Sequence, residues 1–266
     1  MSTTTADIGT VPERPAAVRT GIFSVTRTWA TTRRVLLQLH NDPRTIALLV
    51  VAPCVLITLF KYVFQNSPGV FDRVGLPMIG IFPMITMFLV TVVAMVRERT
   101  SGTLERLLTT PLGKLDLLLG YAGAFGVVSL VQAGVVSALA LGPLGLHVRA
   151  GIAVVLVVAL ANALLGMALG LLLSAFAQSE FQAVQFLPAA LLPQLLVCGL
   201  FAPRDRMPGW LHGISQVMPL SYGVDALSHA TTGELTVTLA VDVLIVFGCV
   251  VAALALGAAT LRRRTG

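Results

Sequence analysis

Asp225 and His229 stand four residues apart in "YGVDALSHATT", with His212 upstream of them. On a helix such spacing puts both side chains on one face, and a carboxylate with two imidazoles is a set that can ligate zinc. The same residues also suit an ordinary wet surface, and no metal site is assigned to them. Lys61, Glu180 and Asp242 are the candidate charges of the apolar runs. Charges within spans mark ion paths, but these three fall at window edges, where a charge can snorkel or meet headgroups. Asn162, Gln185 and Gln194 lie deeper, and they suit either a transport pathway or interhelical hydrogen bonds. Hydrolase signatures are missing: the chain has no HExxH and no GxSxG. Gly113-Lys114 is followed by Leu115 where a phosphate-binding loop needs Ser or Thr for magnesium, and Leu108 stands where its first Gly would be. No catalytic residue is assigned, and the chain does not hydrolyse ATP alone.

The elements that must position these residues are set by composition. The chain has 266 residues, of which 56% are hydrophobic and 11% charged, with a mean hydropathy of +0.89. Soluble domains carry about 25% charged residues, so the pattern is that of an integral membrane protein. Six charge-poor windows approach the roughly 20 residues needed to cross a bilayer: Thr45 to Phe60 (continued past Lys61 to Phe64), Val74 to Val96, Leu117 to Val148, Ala150 to Ser179, Phe181 to Pro203 and Val243 to Leu261. All are expected to be helices, because a helix satisfies its own backbone in lipid. The expected fold is an all-α membrane protein of six transmembrane helices.

Residues 1–20 read as a disordered cytosolic tail with no signal-peptide core. Residues 21–44 read as an amphipathic helix in the membrane interface, with Trp29 at headgroup depth and Arg27, Arg33 and Arg34 on its polar face. Asp42-Pro43 should end it, since a residue before proline avoids helical geometry. Residues 204–235 are too polar to span and read as one or two short external helices. If the N-terminus is cytoplasmic, 13 of the 18 basic residues are cytoplasmic too, and only Lys61, Arg73, Arg149, Arg204 and Arg206 are outside. The positive-inside rule therefore puts both termini in the cytoplasm. The net charge of +6 follows from that asymmetry and calls for no nucleic acid. Cys54, Cys198 and Cys249 lie in or beside apolar windows without CxxC spacing and read as small core residues. Small residues at four-residue spacing, among them Gly166 and Gly170, let helices approach closely, and packing within one bundle is favoured over a dimer seam.

Between the second and third windows lies "RERTSGTLERLLTTPLGK", residues 97–114, with six charges. Leu104, Leu107 and Leu108 fall at i, i+3 and i+4, and Pro111 ends the turn. Two readings stand side by side: a snorkelling connector, and a cytoplasmic docking helix whose apolar ridge enters a partner's groove.

This stretch resembles the pattern E-R-E-x-G-T-L-E-x-L-L-x-T-P of the ABC-2 type transporter permeases, including membrane subunits of daunorubicin-resistance-type exporters. Glu98, Gly102, Thr103, Leu104, Glu105, Leu107, Leu108, Thr110 and Pro111 carry the match. A second match, "MPGWLHGISQVMPLSYGVDAL", runs through Met207, Pro208, Trp210, Pro219, Tyr222 and Asp225, and departs from the pattern at Ser228-His229, where the family often has Arg. The resemblance implies the six-span ABC-2 (type V exporter) fold over residues 45–262. It also implies a coupling helix at 97–113, seated in a separate ATP-binding subunit, beside an interface helix bearing Trp29, Arg33 and Arg34. The implied activity is outward transport of an amphipathic drug, lipid or lipid-linked substrate, in the bacterial plasma membrane. The implied partners are the ATPase, which holds ATP and magnesium that this chain does not bind, and a second permease subunit, identical or paralogous. Other classes are a non-energised scaffold or channel and, least supported, a lipid-modifying membrane enzyme.

Overall fold

The computed structural model describes residues 24–102, 113–233 and 237–260. The described residues are helical throughout, apart from short connections: α1 (Val25–His40), α2 (Pro43–Val63), α3 (Pro68–Thr100), α4 (Lys114–Leu141), α5 (Ile152–Ser174), α6 (Glu180–Val197), a 3-10 turn (Arg204–Arg206), α7 (Gly209–Val217), α8 (Pro219–Thr232) and α9 (Val237–Thr260). Five of these, α2, α3, α4, α5 and α9, are long and apolar enough to cross a membrane. The sixth expected window is α6, whose 18 residues include Gln182, Gln185, Pro188, Pro193 and Gln194 and which is not among the five.

The boundaries follow from local chemistry. The Asp42 carboxylate accepts from the Thr45 amide and hydroxyl, capping α2, and Pro43 opens that helix where no amide is needed. Ser179 caps α6 through the Gln182 amide. Gly233, at φ 83°, ends α8 in the left-handed conformation that glycine adopts without strain. The segment expected to lie outside folds into two helices, α7 and α8.

Helix α3 is the hub. Of its most apolar stretch 67% is buried, against 17% for α2 and 22% for α9. Apolar burial gives lipid-embedded helices little reason to associate, so close backbone approach must hold them. A Cβ on Gly166 would fall on the Met84 carbonyl, and one on Gly170 would lie 2.6 Å from the Phe88 oxygen. The glycine pair thus seats α5 on α3 in parallel, four residues against four. It serves packing within the bundle, as its spacing suggested. Gly257 repeats the device, bringing the end of α9 onto Leu171 near the end of α5.

Helix α6 begins at the α3 end of this pair, where Glu180 meets Arg97, and the chain after it reaches Arg204, which pairs with Asp225 of α8. Helix α8 abuts the α4–α5 connection at the opposite end of the bundle, where the Ala150 amide donates to the Ala230 carbonyl.

Candidate functional site

The last turn of α3 carries Arg97, Glu98 and Arg99. Successive helical residues point about 100° apart, so three neighbours reach three elements. Arg97 makes two 3.0 Å hydrogen bonds to Glu180 at the start of α6. Glu98, only 9% exposed, accepts from Arg34 of α1 at 3.2 Å, with the buried Tyr121 of α4 beside the pair. Arg99 donates to the Ser174 carbonyl at 2.7 Å, where the end of α5 leaves carbonyls unpaired and a cation is favoured.

Asp116, in the first turn of α4, closes the arrangement. It is fully buried. Its carboxylate accepts from the Gly113 amide at 3.1 Å and from the Ser24 amide at 2.7 Å, so one negative charge caps the starts of α4 and α1, where helix dipoles favour it. Arg27 balances it at 3.3 Å. Helix α1 is therefore strapped across both flanks of segment 103–112, by Arg34 to the end of α3 and by Arg27 to the start of α4. Close packing fixes its height: Thr32 donates to the Gly120 carbonyl at 3.1 Å, and a Cβ on Gly123 would lie 2.9 Å from the Thr32 hydroxyl.

The predicted coupling residues divide accordingly. Glu98 is at the centre of this node, and Gly102 follows it with φ 71°. Thr103, Leu104, Glu105, Leu107, Leu108 and Pro111 lie outside the described residues, as do the 1–20 tail and Arg262, Arg263 and Arg264. Of the interface-helix residues, Arg34 turns inward to Glu98, whereas Trp29 and Arg33 are exposed.

A second cluster forms at the other end. Arg204 pairs with Asp225, donates to the Ser215 hydroxyl at 3.1 Å, and lies over the Tyr222 ring. His212 contacts the Arg204 carbonyl at 3.2 Å through Nδ1, and the Tyr222 hydroxyl donates to the Gln216 carbonyl at 2.6 Å. Burial pushes the Asp225 carboxyl above its ordinary range, and the Arg204 charge offsets this in part. Pro219 opens α8 as its first residue, Pro208 precedes α7, and Trp210 is exposed on it. No group of three His, Cys, Asp or Glu residues suited to a metal occurs among the described residues.

The three deep polar candidates do not share a surface. Gln185 is exposed on α6, while Gln194 is buried and bonds to the Ala190 carbonyl. Asn162 is fully buried, pressed between Gly223 of α8 and Gly80 of α3 with neither amide atom hydrogen-bonded. Asp242 departs from its expected place at a window edge. Helix α9 starts five residues earlier, and Asp242 is buried within it with one carboxylate oxygen unpaired.

Sequence reading missed Asp116 and Arg204. Gly113-x-x-Asp116 ahead of an apolar run is a capping signal that was available. The seven-residue interval from Arg27 to Arg34, two helical turns, is equally visible, but the carboxylates they meet lie 64 or more residues away.

Comparison with known proteins agrees with this architecture. The chain is 26% identical to the Probable multidrug ABC transporter permease YbhR of Escherichia coli K12 over 148 residues, which is 56% of this chain and 40% of that one. It is 27% identical to the Probable multidrug ABC transporter permease YbhS of the same organism, over 59% of this chain and 42% of the relative. It is also 27% identical to the Putative transport permease ycf38 of Porphyra purpurea, over 75% and 72%. The matched region thus spans less than half the length of the two Escherichia coli relatives. The sequence profile of the ABC-2 type transporter family matches residues 26–231, most of the described bundle and both of its polar clusters, and the chain belongs to that family.

Proposed function

We propose that the chain is the permease subunit of an ATP-binding cassette exporter that moves an amphipathic drug, lipid or lipid-linked substrate outward across a bacterial plasma membrane. A separate nucleotide-binding subunit, holding ATP and magnesium, supplies the energy, and a second permease subunit, identical or paralogous, completes the pathway. The observation that carries this reading is the wiring around segment 103–112. Arg97, Glu98 and Arg99 tie its upstream flank to α6, α1 and α5, and Asp116 ties its downstream flank to α1. A push on this segment therefore reaches three further helices, α1, α5 and α6, through direct contacts. A mere connector has no need of such ties.

In this reading α6 is a sixth crossing, since it starts beside the end of α3 and leads to Arg204 at the other end of the bundle. Both termini are then cytoplasmic, and α1 lies at the inner membrane surface. Gln185, exposed on α6, faces the second subunit and the substrate. Gln194 and Asn162 act from within the bundle.

The test is Leu107→Asp in the full chain co-purified with its ATP-binding-cassette subunit. A charge forced into an apolar groove loses its water without a designed partner, at a cost of several kcal/mol. Expected are normal membrane insertion and loss of the ATPase from the purified complex. Full substrate efflux with Leu107→Asp would refute the coupling role.

A further inference from the structure

Helix α1 has a face that neither acid occupies. Trp29, Arg33, Leu36, Leu37 and His40 overhang a groove of about 500 Å³, walled by the start of α2 and the middle of α4. That volume lies in the range of small-molecule sites. Its walls are almost wholly hydrocarbon, with Leu49, Val127, Val128 and Val131 among them, and no acidic residue lines it. Arg33 and His40 are at the α1 rim and exposed. Arg33 forms no ion pair with any described residue, unlike Arg34 and Arg27 beside it. On the floor, Gln132 is buried. Its oxygen accepts from the Thr86 hydroxyl at 3.0 Å, while its Nε2 has no acceptor among the described residues.

We propose that this groove binds an anionic glycerophospholipid, with the phosphate at Arg33 and His40 and one acyl chain along Leu49 and Val128. The polarity order matches that ligand: a guanidinium and an imidazole at the rim, then hydrocarbon. Trp29 is an aromatic of the kind that sits at headgroup depth. A zwitterionic lipid would fill the same apolar walls but would bring its own cation to Arg33, so the site selects for net negative charge. The bound lipid would brace the free face of α1, the helix strapped across both flanks of segment 103–112. The inference requires only that the chain sits in a membrane and holds whether or not it is an exporter.

The chain has two tryptophans, so Trp210→Phe leaves Trp29 as the only tryptophan, excited selectively at the red edge of the absorption band. The full-length protein is reconstituted into phosphatidylcholine vesicles containing a minor fraction of either brominated phosphatidylglycerol or brominated phosphatidylcholine. Bromine quenches tryptophan on contact. Expected is stronger quenching of Trp29 by the brominated anionic lipid at equal fraction. Arg33→Gln should lower that preference about fivefold, the effect of one basic residue near a charged surface, and Arg33→Lys should retain it. Val128→Phe, which fills the groove and leaves the rim intact, should abolish the preference as well. Equal quenching by the two lipids, or a preference that survives both Arg33→Gln and Val128→Phe, would overturn the site. Protection of Trp29 from both lipids would also overturn it, by showing that protein covers the groove.

Discussion

Asp116 caps two helices with one carboxylate, and its loss should be felt at both. In Asp116→Asn, side-chain volume is kept while the charge that faces Arg27 and two helix N-termini disappears. Charged hydrogen bonds of this kind contribute about 1.5–3 kcal/mol. Because Arg27 keeps some contact with water, about 2 kcal/mol is expected. The check is thermal unfolding in detergent, together with limited proteolysis near Ser24, which should become cleavable before the bundle unfolds. Unchanged protection of Ser24 would show that α1 is held by the threonine and glycine contacts alone. The close approach of α5 to α3 gives a second residue-scale prediction. Gly170→Leu, set against the Phe88 carbonyl, should destabilise by at least the 1–3 kcal/mol typical of overpacking, whereas Gly134→Leu, which has open space where a Cβ would stand, should be tolerated. Equal melting temperatures for the two variants would contradict the α3–α5 seat.

At the scale of elements, the Arg97 to Glu180 contact is the direct ion pair between the end of α3 and the start of α6. Both side chains are largely exposed, so the pair contributes under about 1 kcal/mol. Its pH dependence has a definite sign. The hydrogen bond from Arg97, then its charge, hold the Glu180 carboxyl below the ordinary glutamate value of 4.5. A depressed acid stabilises the fold above its unfolded value, and that contribution is lost as pH falls through the lower, folded one. Unfolding midpoints of the wild type and Glu180→Gln should therefore differ near neutrality and converge below about pH 4. A constant difference across that window would remove the pair from the account. Elements were the scale at which the sequence was most legible. Apolar windows located five spans, because a helix in lipid must be long and uncharged wherever it sits. The sixth was blurred, since the glutamines and prolines of α6 leave it less apolar than the other spans. The polar nodes were least legible: Glu98 stood out through its motif, but Arg34 and Asp116 acquire their roles only when α1 folds back across α3 and α4. Asp242 was misplaced for a related reason, because a buried charge shortens the window that is used to find its helix.

At the scale of the whole molecule, parity decides the topology. Five crossings would leave the two ends of the chain on opposite faces, and six would leave them on the same face. The proposed reading has six. Arg34 on α1 reaches Glu98 at the end of α3, and the end of α9, through Gly257, reaches Leu171 near the end of α5. Helices α3 and α5 run parallel, so α1 and the end of α9 meet the same end of the bundle. On the proposed reading, the surplus of arginine flanking α1, α3 and the C-terminal "LRRRTG" assigns that end to the cytoplasm. Trp210 and its neighbours on α7, with the Arg204 to Asp225 pair, then face outward. Three single-cysteine variants, made in a background with Cys54, Cys198 and Cys249 replaced, test this: one at Arg14, one at Gly209 and one appended after Gly266. In intact cells an impermeant maleimide should label only the Gly209 position, and permeabilisation should expose the other two. Labelling of one terminus but not the other would mean that α6 enters and leaves on one side. The push proposed for segment 103–112 would then reach a re-entrant hairpin, and Gln185 could not line a path across the membrane.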